Sequence, residues 1–227
     1  MIREIVITAD GSHSIHLPEW DESYHSKHGA VQEAQHVFIK NGLDCFLNKE
    51  KLSILEIGFG TGLNAYITLL ESIKRNIPIK YYGIEAYPLT LSEVLNLNYS
   101  EVLDKNQYKG MYEEMHKGVW GKSFPLNETF ELTKQQMFFQ DIDDKEQFDL
   151  IYFDAFGYRV QPELWSTEIF KKMYDALLPG GILVTYAART VIKKSLIEVG
   201  FSVEILPGPP GKREMTRAKK INLFLFK

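Results

Sequence analysis

Short apolar runs alternate with segments of helical periodicity along most of the chain. Apolar runs bounded by polar or glycine residues predict strands, and apolar residues three or four positions apart predict helices. The predicted strands cover residues 54–57, 79–84, 130–133 with 136–139, 148–153, 182–186, 201–206 and 222–226. The predicted helices cover residues 63–74, 89–95, 165–178 and 190–199. Strands that alternate with helices indicate an α/β domain with a mostly parallel sheet, and the last two strands, which no helix separates, predict an antiparallel hairpin.

A short extension precedes this alternating core, and we expect one domain over residues 1–227 with the core at 51–227. Within the extension, residues 1–18 predict a hairpin with a turn at Asp10-Gly11, and residues 30–47 predict a helix that breaks near Asn41-Gly42. Residues 98–127 are aromatic and less regular, as in an insertion with a function of its own. The pattern leaves open whether this insertion forms a lid.

A glycine-rich turn connects the first core strand to the first core helix. Gly58, Gly60 and Gly62 follow the strand, and an acid, Glu56, stands two residues before the first glycine. Glycines at such a turn let a ligand approach the backbone closely. The dinucleotide-binding fingerprint would need glycine at the position of Leu63, whereas E-x-G-x-G-x-G resembles the S-adenosylmethionine (SAM) loop of class I methyltransferases. A purely structural turn and a dehydrogenase loop are the alternatives.

Acidic residues also follow the later strands of the predicted sheet. Glu85 ends the second core strand, where a carboxylate can accept hydrogen bonds from the ribose hydroxyls of an adenosine. Gln140 and Asp141 follow the third strand, and we expect this polar residue and this acid to bind the exocyclic amine of adenine. Asp154 follows the fourth strand, at the edge of the sheet where α/β sites form.

Four segments together resemble one family, the methyltransferase domain of the tRNA 5-methylaminomethyl-2-thiouridine biosynthesis proteins (the MnmC and MnmD family). They are E-I-G-F-G-T-G-L-N at 56–64, D-A-F at 154–156 with Q-P-E-L-W at 161–165, L-P-G-G-I-L-V-T-Y at 178–186, and V-G-F with G-K-R-E-M within 199–215. The resemblance implies a class I fold with a seven-stranded sheet, and it adds Phe59 and Asn64 to the expected cofactor contacts. It also implies methyl transfer from SAM to the amine of 5-aminomethyl(-2-thio)uridine at the tRNA wobble position.

This chain departs from the family in two respects. Residues 157–162 read G-Y-R-V-Q-P, whereas the family more often has A-P-x-x-N-P after this strand. The bifunctional members carry a second, FAD-dependent domain, for which this chain is too short. We therefore expect another enzyme to supply the aminomethyl substrate.

The proposed chemistry requires a carboxylate near the acceptor amine. A primary alkylamine is mostly protonated at neutral pH, and the ammonium has no lone pair with which to attack a methyl group. Asp154 is the candidate that holds this ammonium and accepts its proton. The reaction needs no metal, and His25, His28 and His36 lack the spacing of a metal site.

Charge is distributed unevenly along the chain. Residues 187–227 contain nine basic and three acidic residues and have a net charge of +6. Because the whole chain has a net charge of −4, residues 1–186 have a net charge of −10. The basic segment predicts contacts with the anticodon region of tRNA through Lys193, Lys212 and Arg213, and a solvated basic surface that meets no polyanion is the alternative. A flipped wobble base would need a flat surface for stacking, for which Phe156, Tyr158 and Tyr186 are candidates that the sequence does not rank.

Composition sets the remaining expectations. The chain is 44% hydrophobic and 25% charged, which is typical of a globular protein, and its single cysteine, Cys45, excludes an internal disulfide. No apolar run approaches the roughly 20 residues that span a bilayer, so a cytoplasmic location is expected. A methyltransferase for a small-molecule or protein amine and a non-enzymatic SAM- or RNA-binding module remain alternatives.

Overall fold

An eight-stranded sheet organises residues 2–221, the part of the chain that the computed structural model describes. In chain order the strands are β1 (Glu4–Ile7), β2 (His13–Leu17), β3 (Glu22–Ser23), β4 (Leu52–Ile57), β5 (Ile79–Glu85), β6 (Ser123–Pro125), β7 (Phe130–Gln136), β8 (Phe148–Phe153), β9 (Leu177–Thr185), β10 (Phe201–Pro207) and β11 (Glu214–Lys220). The α-helices are α1 (Ala30–Ala34), α2 (Leu63–Arg75), α3 (Leu91–Leu95), α4 (Tyr99–Val102), α5 (Lys109–Lys117), α6 (Thr167–Ala176) and α7 (Thr190–Val199). Within residues 2–221, no helix has both the length and the apolar character that crossing a bilayer requires.

The order of strands in the main sheet is β10-β11-β9-β8-β4-β5-β7-β6. The five central strands, β9, β8, β4, β5 and β7, are parallel to one another, and the outer pairings are antiparallel. All six residues of β8 are buried, as expected for a strand with helices on both faces of the sheet. Strand β4 has β5 on one side and β8 on the other, so the connections that follow these strands leave in opposite directions. A crevice opens at the carboxyl ends of the strands at such a point.

The sheet closes with the predicted antiparallel hairpin. Phe201 of β10 lies opposite Lys220 of β11, and β11 pairs on its other side with β9. Strand β11 begins at Glu214, before the predicted range of residues 222–226. Its residues are mostly polar, and the strand is defined by backbone pairing with β10 on one side and β9 on the other. The predicted strand at residues 222–226 lies outside the described residues.

Helix α6 ends two residues before its predicted end. The Ser166 hydroxyl accepts from the Ile169 amide at 3.4 Å and caps its start. From Leu177 the chain is extended and pairs with β8, so β9 includes Pro179 and the glycines after it. The pairing register shifts between Phe148 and Leu150, an irregularity of the kind at which a strand tolerates proline.

The N-terminal extension and the insertion at residues 98–127 both have regular structure. Strands β1, β2 and β3 form a small antiparallel sheet, and the helix expected over residues 30–47 becomes α1, a π-helical segment at Gln35–Lys40 and a 3₁₀ segment at Leu43–Phe46. The insertion at residues 98–127 forms α4, α5 and the edge strand β6, which adds an eighth strand to the expected seven.

Candidate functional site

The glycine turn after β4 packs directly against the end of β8. Gly58 has φ of +89°, and a Cβ atom there would lie 2.6 Å from the backbone oxygen of Asp154. Gly62 has φ of +72°, and a Cβ there would lie 2.8 Å from the His116 ring. Neither position accommodates a side chain, and Gly58 and Gly60 line the crevice between β4 and β8, so the turn presents backbone there.

A cavity of about 880 Å³ occupies this crevice at the carboxyl ends of β4, β5 and β8. The glycine turn, the ends of β5 and β8, and the N-terminal sheet with the loop after it form its walls. The residues of interest that line it are Trp20, Glu22, Tyr24, His25, Glu33, Gly58, Phe59, Gly60, Asn64, Glu85, Tyr87, Phe138, Gln140, Asp154, Phe156, Glu163, Tyr186 and Lys212. Its size is in the range of small-molecule and cofactor sites.

Asp154 lies in this cavity directly after β8. Its Oδ2 atom accepts a hydrogen bond from Asn64 Nδ2 at 2.8 Å. Burial, and next the negative charge of Glu33, raise the pKa of Asp154 to about 7, although the Asn64 hydrogen bond and the positive charge of Lys212 act in the opposite direction. A carboxyl group with a pKa near neutrality can both bind a cation and accept a proton.

Glu56 lies behind this surface and does not line the cavity. It is fully buried, and its Oε1 atom accepts a hydrogen bond from Asn64 Nδ2 at 2.9 Å. Burial raises the pKa of Glu56 well above its ordinary value, while the side chains of Tyr81 and Asn64 oppose the shift. Asn64, which does line the cavity, therefore stands between Glu56 and a ligand.

Glu85 and Asp141 have different surroundings, although the same kind of role was predicted for both. Glu85 lines the cavity, where its carboxylate accepts from the Gly60 amide at 3.0 Å and from the Tyr87 amide at 2.9 Å. Asp141 is exposed and is not part of the cavity wall, whereas its neighbour Gln140 is. Gln140 is thus better placed than Asp141 to contact a ligand.

Aromatic rings surround the side of the cavity next to Asp154. Phe156 contacts Trp20 and Tyr24 edge to face, with ring centroids 5.7 and 5.1 Å apart. The Tyr186 hydroxyl donates to the Ala155 carbonyl at 2.8 Å, which fixes its ring at the cavity wall. Sequence reasoning did not identify Trp20, whose only signal is an aromatic residue in the polar loop before the first core strand.

The three predicted tRNA contacts lie in different places. Lys212 lines the cavity, forms an ion pair with the buried Glu33 and places its Nζ 3.7 Å from the Tyr186 ring centre. Lys193 pairs with Glu214 at 3.4 Å. Arg213 is exposed beside a neighbouring cavity. Lys212 and Lys193 thus already have internal partners, and Glu33 is a cavity residue that charge counting alone did not reveal.

The insertion at residues 98–127 supports the glycine turn from beneath. The Tyr99 hydroxyl donates to Thr61 Oγ1 at 3.0 Å, and the Tyr112 hydroxyl donates to the Thr61 carbonyl at 2.8 Å. Both tyrosines are buried and neither lines the cavity. These contacts make the insertion a support for the turn.

The N-terminal histidines have separate hydrogen-bond partners. His25 Nδ1 lies 3.1 Å from Ser14 Oγ, and burial lowers the pKa of His25 to about 4. His36 Nε2 lies 2.8 Å from the carbonyl of Pro207. Residues 2–221 contain no group of three or more His, Cys, Asp or Glu side chains that could hold a metal ion.

The residues around the glycine turn fit SAM as a ligand. Asn64 lines the cavity, and its Oδ1 atom is a buried oxygen without a hydrogen-bond partner in the described part of the chain, so it suits a cationic amino group. Gly58 also lines the cavity, and a side chain there would clash with the backbone of Asp154. Glu85 offers a carboxylate at the position where a ribose would lie.

Comparison with known proteins supports the same assignment. Residues 109–221 match the sequence model of a family described as S-adenosyl-L-methionine-dependent methyltransferase. The tRNA 5-methylaminomethyl-2-thiouridine biosynthesis bifunctional protein MnmC of Marinomonas sp. (strain MWYL1) is 29% identical over 88% of this chain and 32% of its own length. The protein of the same name from Cupriavidus necator is 29% identical over 95% of this chain and 34% of its own length. The chain thus spans about a third of these relatives.

Solved structures agree on the fold. MNMC2 from Aquifex aeolicus superimposes with a TM-score of 0.80 and 24% identity, covering 96% of this chain and 70% of that one. Spermidine synthase from Thermotoga maritima superimposes with a TM-score of 0.58 and 13% identity, covering 98% of this chain and 73% of that one. These likenesses confirm the predicted α/β fold, and the family match confirms the predicted cofactor class.

Proposed function

We propose that this chain, which belongs to the S-adenosyl-L-methionine-dependent methyltransferases, methylates the exocyclic amine of 5-aminomethyl(-2-thio)uridine at the wobble position of tRNA. The product would be the 5-methylaminomethyl base. The relatives named for this modification support the proposal, although the chain spans only about a third of them. The observation that carries it is the Asp154 carboxyl group, held by Asn64 in an aromatic cavity beside the glycine turn.

The glycine turn and the acids around it would hold the methyl donor. Gly58, Gly60 and Asn64 line one wall of the cavity, and Glu85 lies beside them at the end of β5. When bound, SAM supplies an electrophilic methyl carbon attached to a sulfonium sulfur. The protein's contribution is to hold the acceptor nitrogen close to that carbon and in line with it.

Asp154 would prepare the acceptor nitrogen. An alkylammonium has a pKa near that of lysine, about 10.4, so the amine enters the cavity charged. The Asp154 carboxylate attracts the cation, and with a pKa of about 7 it is basic enough to take up a proton within a closed site. Glu22 and Glu33 are paired with Arg159 and Lys212, whereas Glu163 has no ion pair in the described part of the chain; it adds negative charge to the same cavity and favours a cationic acceptor.

The aromatic side of the cavity would receive the uracil ring. Trp20, Tyr24, Phe156 and Tyr186 lie around Asp154, and such rings replace the stacking that a flipped base loses. A base held there would place its 5-substituent close to the carboxyl group. This arrangement supports a nucleoside acceptor over a flexible aliphatic amine.

The direct test is incubation with SAM and tRNA that carries 5-aminomethyluridine, followed by mass spectrometry of the digested nucleosides. We expect 5-methylaminomethyluridine with the wild-type protein. We expect a loss of roughly 10²-fold or more with Asp154→Asn, because the amide cannot accept the proton. Absence of the product despite intact SAM binding would refute the proposal. Equal methylation of free alkylamines would favour a small-molecule amine as the acceptor.

A further inference from the structure

A second cavity of about 600 Å³ adjoins the one that contains Asp154. Four residues, Glu22, Gly157, Tyr186 and Lys212, line both cavities, so a single wall separates the two. The second cavity also includes Tyr158, Ala187, Ala188, Arg189, Ile192 and Arg213. An acceptor that enters the first cavity as part of a longer chain would leave its neighbouring units near the second.

Half of the eight cations within residues 187–221 have acidic partners inside the protein and are less available to such a chain. Within residues 187–221, four of them form ion pairs inside the protein: Lys193 with Glu214, Lys212 with Glu33, Arg217 with Glu204, and Lys220 with Glu146. Each pair cancels much of the local positive charge. The net charge of this segment therefore overstates its attraction for a polyanion.

Arg189 and Arg213 form no ion pair with any residue in the described range, and both line the second cavity. Their side chains are exposed. The Arg189 guanidinium lies 5.7 Å from the ring centre of Tyr158, a separation typical of a cation–π contact. The other arginine of this cavity, Arg159, donates to the Trp20 and Asp21 carbonyls and to Glu22, so it is occupied by internal contacts.

We propose that this second cavity binds the nucleotide next to the flipped wobble base, with Arg189 and Arg213 contacting its phosphate groups and Tyr158 its base. Two unpaired guanidinium groups suit phosphate oxygens because each can donate two parallel hydrogen bonds. Tyr158 supplies the flat surface on which a single-stranded base stacks. This inference rests on the proposed function, because it takes the acceptor to be part of an RNA strand.

The loop at residues 157–162 gives this subsite its particular shape. It contributes Gly157, Tyr158 and Arg159 to the second cavity, and it is the segment in which the sequence departs from the family pattern. Arg159 donates a hydrogen bond to the carbonyl of Trp20, which lines the first cavity, and so holds the loop beside that cavity. The loop thus connects the reacting site to the flanking subsite.

Two double variants of equal charge test the subsite. The first is Arg189→Gln with Arg213→Gln. The matched control is Lys194→Gln with Lys219→Gln, two exposed lysines outside both cavities and without an ion pair in the described part of the chain. The measurements are the affinity for an anticodon stem-loop RNA at several salt concentrations, by fluorescence anisotropy, and the affinity for SAM, by calorimetry.

We expect the double arginine variant to bind RNA about tenfold or more weakly than the wild type. The slope of the logarithm of RNA affinity against the logarithm of salt concentration should become shallower by roughly 0.7 for each lost phosphate contact. The lysine pair should change both quantities much less, and SAM affinity should stay the same in both variants. The subsite would be overturned by any of three results. The two double variants could lose RNA affinity equally, the arginine variant could bind SAM more weakly, or the wild-type protein could fail to bind the RNA.

The outcomes separate this inference from the proposed function. If the wild-type protein methylates tRNA but both double variants bind RNA equally well, the subsite is wrong and the function stands. If RNA binding depends on the two arginines but no methylated product forms, the subsite stands as an RNA groove and the proposed function falls.

Discussion

Asn64 donates to Asp154, with 2.8 Å between Nδ2 and Oδ2, and the same amide nitrogen donates to Glu56 at 2.9 Å. One amide group at the start of α2 thus holds a carboxyl group near the end of β4 and another that directly follows β8. In the proposed reaction, Glu56 would lie on the methyl-donor side of the site and Asp154 on the acceptor side. Asn64 thereby couples the position of the glycine turn to that of the proposed base.

Substitution of Asn64 by alanine should shift the pH dependence of methylation. The hydrogen bond from Asn64 lowers the pKa of Asp154, so its loss raises that pKa above about 7. A hydrogen bond to a charged group contributes about 1.5–3 kcal/mol, or roughly one to two pKa units. We expect at least a tenfold lower rate near neutrality and recovery at higher pH, measured as a pH–rate profile. Asn106→Ala, at an exposed asparagine, is the control; an unmoved midpoint in Asn64→Ala would show that this hydrogen bond does not tune Asp154.

Asp154→Asn should change how stability depends on pH. The pKa of Asp154 is about 7 in the folded protein, whereas the ordinary value for an aspartate, which applies to the unfolded chain, is 3.8. Between these two pH values the folded state therefore binds more protons than the unfolded state. The contribution of Asp154 to stability is therefore fully present below about pH 4 and is lost as the pH rises through 7. The asparagine variant lacks this loss, so its free energy of unfolding should exceed that of the wild type by an amount that grows from pH 5 to 8. Chemical denaturation at several pH values measures it, and a difference that does not vary with pH would contradict the raised pKa.

Glu85→Gln should weaken SAM binding about tenfold or more, because the carboxylate both faces the cavity and accepts from two backbone amides. Calorimetric titration with SAM measures the effect. Asp141→Ala tests the second adenosine contact predicted from sequence, and we expect little change since Asp141 is exposed and outside the cavity. Asp143→Ala, at an exposed acid nearby, is the control. If Asp141→Ala lowers SAM affinity as much as Glu85→Gln does, Asp141 contacts the adenosine as predicted from the sequence.

Lys212→Met should destabilise the protein, because it leaves Glu33 buried without its ion-pair partner. Removal of one partner from a buried ion pair costs up to about 3–5 kcal/mol. The double variant Lys212→Met with Glu33→Gln should regain much of that loss, as measured by thermal and chemical unfolding in a double-mutant cycle. Weaker RNA binding without any loss of stability would instead support a direct phosphate contact by Lys212.

Much of the fold could be predicted from hydrophobic periodicity, because each central strand is a short apolar run between polar residues. Residues 148–153 were predicted as a strand and form β8 with the same bounds, and residues 190–199 form α7 as predicted. The ends of α6 and β9 could not be predicted, since they depend on pairing between Leu177 and Phe148 across the sheet. A strand that continues through proline and two glycines has no local signal.

The sequence alone determined the chemistry that is encoded within one short segment. The glycine turn at residues 58–62 and the acids at strand ends identify a nucleotide-like ligand, because their roles follow from strand, turn and helix in direct succession. The parallel order of strands also follows from this succession, and it places Glu56, Glu85 and Asp154 at one edge of the sheet.

The tertiary structure decided which charges are paired and which face the cavity. Sequence treats Lys193, Lys212 and Arg213 alike, yet folding gives the first two buried or half-buried acidic partners and leaves the third exposed beside the site. Likewise, Trp20 and Tyr24 become cavity walls only because the N-terminal sheet packs against the ends of β4 and β8. Ion pairing and cavity walls arise from contacts between residues far apart in the chain, and no local pattern encodes such contacts.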